Sequence, residues 1–303
     1  MTDRRQAAAV LALAAHTPRS WHLLSEALEE AGTALDLAAG MRTDEEPPDL
    51  AAAPEPVAIL PEQLDENERL IDDLANRGVS LVTVLDEGYP ANLRLVYDRP
   101  PFLFIRGELL DDDRRAIAVV GTRRASTDGV RQAEGLASGL IERGVTVVSG
   151  LAVGIDTAAH RAALESGGRT IAVIGNGIDA PIYPRENQKL ADQIVASGGA
   201  VVSQFLPKAP PRPDNFRLRN RTMSGLALGT AVIEASHTSG ARMQARFALE
   251  HGKRVFLVRE LVLREEWAQR YESHPGARVV ETADEVLAVL DAIPSPSEQL
   301  TLA

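Results

Sequence analysis

At 303 residues, with 45% hydrophobic and 25% charged side chains, the chain has the composition of a globular protein with room for one large domain and a small one. It has no cysteine, which excludes disulfides, thiolate metal sites and cysteine nucleophiles, and no apolar run approaches the roughly 20 residues of a membrane-spanning helix. The net charge of −11 speaks against a polyanionic ligand only until it is mapped: eleven carboxylates against Arg69 alone lie between Asp44 and Asp73, which leaves the rest close to neutral.

The opening MTDRRQAAAVLALAAH pairs two arginines with an Ala/Leu stretch, as a secretion signal would. His16, Thr17 and Pro18 interrupt it, and helical spacing resumes through Leu23, Leu24 and Leu28, so the reading is a cytoplasmic protein with two or three short helices in a helical N-terminal domain, 1–43. Gly32 and Gly40 are plausible helix stops. Residues 44–60 are acidic and rich in Pro and Ala, a linker. From Pro61 a helix (LDENERLIDDLANRG) leads to a strand (VSLVTVL), within a connecting segment, 61–111, that packs on the core. At Ala116 the texture changes. AIAVVG, VTVVSG, TIAVIG, AVVSQF, TAVIEAS and RVFLV are apolar strands, and amphipathic helices such as VRQAEGLASGLIERG stand between them. Strands apolar on both faces alternating with helices imply an α/β fold: a Rossmann-like, doubly wound, mostly parallel sheet over 112–291. The tail 292–303 is expected to fray.

Chemistry concentrates in the strand-to-helix turns. In VVGTRRASTDG, Gly121 permits a tight turn at a helix N-terminus, where free N–H groups favour an anion, and Arg123 adds a fixed charge. In SGLAVGIDTAAH, Asp156 can cap the following helix and lies four residues from His160, either as an acid–base pair or, more simply, as a cap beside a packed histidine. Gly175-x-Gly177 lacks the third glycine and the ribose-binding acid of a dinucleotide fingerprint, so no nicotinamide cofactor is expected, and no metal. LPKAPPRPDNFRLRNRTMSG crowds Lys208, Arg212, Arg217, Arg219 and Arg221 around Phe216 in a Pro-stiffened loop, where alternating arginines would meet successive phosphates and the ring would stack a base.

Taken together, these segments resemble the DNA-processing protein A (DprA, or Smf) family. The residues are Gly121-Thr122-Arg123; Ser149 to His160 (SGxAxGID, then AH); Tyr183-Pro184, Asn187 and Leu190; Phe216, Arg219-Asn220-Arg221 and Ser224-Gly225; and Glu234-Ala235 with Ser239-Gly240. Upstream, Tyr89-Pro90-Leu93 and Pro100-Pro101-Leu103 fit as well. The resemblance implies a sterile-alpha-motif-like N-terminal domain, cooperative single-stranded DNA binding without catalysis, dimerisation, and delivery of the strand to a RecA-type recombinase. It carries DNA-binding roles to Gly121, Thr122, Arg123, Lys208, Phe216, Arg219, Asn220, Arg221, Ser239 and Gly240.

The chain departs from the pattern mainly in its C-terminal third, where Arg259-Glu260 replaces a Pro-Gly pair and SGSxxTA has become Ser239 to Ala245 (SGARMQA). There Met243, Phe247, Leu261, Leu263 and Trp267 either form an apolar interface patch or pack the last helices. The alternative function on such a fold is nucleotide sensing or hydrolysis. For that Asp156, His160 and Glu234 are the candidates, and they do not assemble into a nucleophile–base set by sequence.

Overall fold

The computed structural model describes residues 3–17, 21–39 and 59–292; the expected linker up to residue 58 and the tail from 293 lie outside them. Three helices open the chain: α1 (Arg4–His16), α2 (Trp21–Ala31) and α3 (Ala34–Ala38). The alanines of α1 are buried from Ala7 to Ala14 and leave little bulk to hold helices apart, so α4 (Pro61–Asn76) lies close, clamped by Arg5 to Asp65 and to Glu68 at 2.9 Å. Trp21 fixes the next layer. Its indole N–H donates to Ala14 O at 3.0 Å, and its ring stands 5.3 Å from that of Phe102 in the sheet.

A nine-stranded sheet organises the described residues: β1 (Val79–Thr83), β2 (Phe102–Gly107), β3 (Ala116–Val120), β4 (Thr146–Ser149), β5 (Thr170–Val173), β6 (Ala200–Ser203), β7 (Gly229–Val232), β8 (Arg254–Val258) and β9 (Ala277–Val280). Their spatial order is β1-β2-β6-β5-β4-β3-β7-β8-β9. The seven strands from β3 onward are parallel, whereas β1 and β2 extend the sheet antiparallel beyond β6. Strands β3 to β7 are buried at every position, as expected of a sheet with helices on both faces. The α/β reading thus holds, with β2 and β9 as strands the sequence reading does not include.

The helices that follow the short α5 (Ala91–Arg94) are α6 (Thr127–Ile141), α7 (Ile155–Glu165), α8 (Gln188–Ala196), α9 (Pro213–Leu226), α10 (Gly240–Glu250), α11 (Arg259–Arg264), α12 (Glu266–Glu272) and α13 (Ala283–Leu290). A helix also differs from expectation. The basic segment read as a loop is helical from Pro213, because proline's fixed φ suits the first turn, where no N–H is needed. Of the two readings of the C-terminal apolar residues, packing is the one seen: Phe247, Leu261 and Trp267 are buried in the core, the Trp267 indole donating to Ala235 O at 3.0 Å, Met243 is half-buried and Leu263 is exposed.

Candidate nucleic-acid interface

The turns after β3, β4, β5 and β6 meet at the carboxyl edge of the sheet, where open α/β folds bind ligands. They are fastened to one another. Gly154, at φ +82°, lies so close to Thr122 O that any side chain would collide with it, and Ile155 N donates to Thr122 O at 3.3 Å. Gly177 N donates to Ala209 O and Asp179 N to Pro207 O, both at 2.8 Å, which straps the turn carrying Lys208 against the loop after β5. Gly121 has a packing role instead of opening to a ligand, since a Cβ there would strike Ile155. Thr122 Oγ1 accepts Arg124 N at 3.2 Å, and its own N–H donates to Glu234 O at 2.6 Å.

Phe216, in the first turn of α9, is the centre of the rim. Gly175 supports it: a Cβ at that position would come within 2.5 Å of the ring. The Tyr183 ring lies 5.7 Å away, tilted by 43°, and is 45% exposed. The Arg123 guanidinium sits 5.5 Å from the Phe216 centroid. Arg123, Arg185, Lys208, Arg212 and Arg217 are exposed and have no carboxylate partner among the described residues. Unneutralised cations beside two accessible rings make a surface for a polyanion with aromatic bases. Tyr183 belongs to this cluster although it is absent from the expected site set; only the meeting of separate loops reveals it.

Arg219 and Arg221 do not behave as their spacing suggests. In a helix, residues two apart point about 200° from each other, so the two arginines part company. Arg219 turns inward beneath Phe216 and is 6% exposed, donating to Gly150 O at 2.5 Å and to Val173 O at 2.6 Å. Burial pushes its pKa down to about 10, the Asp156 carboxyl opposing and Arg123 reinforcing. It fixes the ends of β4 and β5 rather than presenting a charge to solvent. Asp156 is likewise structural: it accepts Gly150 N at 3.2 Å and Ala152 N at 3.4 Å, and burial raises its pKa. His160 pairs with Thr170 Oγ1 at 2.7 Å instead of Asp156, and burial, reinforced by Arg219, pushes it down to about 3, so it is neutral. The acid–base pair is therefore not formed.

Arg221 points away from the rim. It pairs with Asp98 and lies 4.3 Å over the Phe247 ring, while His251 bridges Asp98 Oδ1 at 2.8 Å and Ser224 Oγ at 3.0 Å. Burial alone would raise the Asp98 carboxyl, but His251 and Arg221 outweigh it and hold it below its ordinary value. The Ser–His–Asp contact is a clasp and not a nucleophile array, because Ser224 is 1% exposed. Asn220 and Ser239 are scaffold too: Asn220 Nδ2 donates to Gly240 O at 3.3 Å, and Ser239 Oγ caps α10 by accepting Ala241 N at 3.1 Å. Of the expected site residues, then, Arg123, Lys208 and Phe216 present themselves at the surface of the rim; Arg219, Asn220, Arg221, Ser239 and Gly240 hold the framework.

The sequence model of a family described as DNA recombination-mediator protein A matches residues 80–291. The chain belongs to this family. It is 45% identical over 178 residues to the protein Smf of Escherichia coli, which covers 59% of this chain and 47% of that one. It is 43% identical over 176 residues to the DNA processing protein DprA of Streptococcus pneumoniae, covering 58% and 61%. These matches therefore span about half to three-fifths of the relatives' lengths. Among solved structures, DNA processing protein A from Streptococcus pneumoniae superposes with a TM-score of 0.69 at 31% identity, over 94% of this chain and 97% of that one. The protein from Helicobacter pylori, whose structure concerns its unique single-stranded DNA binding mode, gives 0.61 at 25% identity over 71% and 96%. No helix among the described residues is long and apolar enough to cross a membrane.

Proposed function

We propose that this chain binds single-stranded DNA along the rim formed by the turns after β3, β5 and β6, and delivers the strand, as a homodimer in the cytoplasm, to a RecA-type recombinase. The carrying observation is the Phe216–Tyr183–Arg123 cluster, two accessible rings and a cation, flanked by four further exposed cations without carboxylate partners among the described residues. Bases stack on such rings only when unpaired, which favours single strands over duplex. Phosphates pair with the cations, and five such contacts give a log–log salt slope of about −3.5 on a single strand. Nothing at the rim resembles a reader of base edges, so sequence preference is slight. The partner recombinase and the dimer rest on family membership.

The test is fluorescence polarisation with a labelled oligothymidine, repeated with the same length of duplex and across a salt series. Preference for the single strand and a slope near −3.5 support the reading. Equal affinity for duplex, or a slope near zero, removes it.

A further inference from the structure

In a doubly wound sheet the default ligand site is the crevice where strand order reverses, and here that crevice lies between the carboxyl ends of β3 and β7. A cavity of about 650 Å³ opens there, lined by Thr122, Arg124, Ser126, Gly129, Glu234 and Arg264 among others. That volume suits a nucleotide-sized molecule. Phe216, Tyr183 and Lys208 do not line it, so it is a second place on the same edge of the sheet. The N-terminus of α6 would ordinarily make it a phosphate seat, with open N–H groups and the positive end of the helix dipole.

A carboxylate already stands at this seat. Glu234 Oε2 accepts Ser126 N at 2.9 Å and Ser126 Oγ at 3.0 Å, and Ser126 Oγ in turn accepts Gly129 N at 3.0 Å. The same residue's backbone carbonyl accepts Thr122 N at 2.6 Å. Gly129 is bare because a Cβ would collide with Glu234 Oε2. A protein carboxylate thus holds the N-cap residue of α6 by its backbone N–H and its hydroxyl, at the mouth of the seat a phosphate would use, 108 residues away in sequence from the Ser126 it engages.

We propose that Glu234 is a resident anion that closes the switch-point crevice to phosphate-bearing small molecules, so that the chain discriminates a DNA strand, held at the neighbouring rim, from free mononucleotides. An incoming phosphate would meet the Glu234 carboxylate beside Ser126 and would be repelled by it. The inference rests on the strand-binding reading for what the rim holds; closure of the crevice is measured independently of it.

The experiment titrates wild-type protein, E234A and E234Q with inorganic phosphate and with AMP, following the backbone amide resonances of Ser126 and Gly129. In wild type these amides stay in place at millimolar ligand. In E234A they shift on phosphate addition, with affinity at least tenfold above wild type. E234Q keeps the shape of the side chain, loses its charge and shows a smaller gain, and it carries the test if E234A does not fold. Movement of the wild-type amides on AMP overturns the proposal, as does a folded E234Q with no gain. Oligothymidine affinity, measured on the same three proteins, is expected to agree within twofold. A fall of more than tenfold in E234Q would show that crevice and rim are one site and overturn the proposal. A wild type that binds no oligonucleotide defeats the strand reading while the phosphate arms still report on Glu234.

Discussion

Replacing Arg221 by alanine separates a structural arginine from a DNA-contacting one. The Asp98 side chain is 10% exposed and that of Arg221 is 26% exposed, so the pair is mostly, but not wholly, withdrawn from water. Losing Arg221 leaves a largely buried carboxylate with His251 as its remaining partner, a loss of about 1–3 kcal/mol. The guanidinium over Phe247 adds about 0.5–2 kcal/mol. The expected destabilisation is roughly 2–4 kcal/mol at pH 7, read by urea unfolding. Its pH dependence is fixed by sign. A carboxyl held below its ordinary value contributes stability above the unfolded carboxylate range, and that contribution is lost as pH falls through the lower folded value. The gap between wild type and Arg221→Ala therefore closes in acid. The salt slope for oligothymidine should not change in this variant, whereas Arg123→Ala should lower it by about 0.7, one phosphate contact. A full-stability Arg221→Ala whose salt slope has dropped by one contact would refute this assignment.

Phe216→Ala should weaken oligothymidine binding by about 1–3 kcal/mol, roughly 5- to 150-fold, with the salt slope unchanged; a silent substitution in polarisation assays would rule out stacking. Gly175→Ala places a methyl within 2.5 Å of the Phe216 ring and should mimic the loss of stacking with little change in melting temperature, and unaltered affinity would show that the ring position is unimportant. Burial brings the Lys253 pKa from 10.5 down to about 8, so between those values the unfolded chain holds a proton that the folded chain has released. Wild-type stability should then rise relative to Lys253→Met across that window, by up to about 1.4 kcal/mol per pH unit. Parallel denaturation curves for the two proteins from pH 8 to 10 would contradict it.

The strands from β3 to β8 were legible because near-continuous Val, Ile and Ala runs are what a sheet covered on both faces demands. β9 was not: it is a four-residue edge strand with Arg278 turned outward, and Gly276 and Glu281 flank it like ordinary loop residues. The positions of Arg123, Lys208 and Phe216 on the rim followed from the rule that such turns gather at one edge. The partition of the other arginines did not, because it hinges on whether the segment after Pro213 is extended or helical. Alternate arginines share a face in the first case and oppose each other in the second. Tyr183 and Glu234 stood in motifs of the sequence, but their places in the structure escaped for a different reason. Each takes its meaning from a partner in a distant turn, Phe216 and Ser126, and local pattern carries no trace of such meetings.

The antiparallel pairing of β2 with β6 bears on how the chain reaches this state. Phe104 stands opposite Ser203, so the first half of the molecule must wait for about a hundred further residues before its edge of the sheet has a partner. Strands β1 and β2 can form a hairpin-like pair early, as Val79 faces Arg106, yet such a pair alone is marginal in water. Closure over so long a loop slows the productive encounter, as it does for other folds rich in distant contacts. On a ribosome, the aromatic face of Phe102 and Phe104 would be synthesised well before β6 emerges to meet β2. In that interval Trp21 and the N-terminal helices are the available cover, which gives the small helical layer a duty in biogenesis separate from any it has in the finished protein.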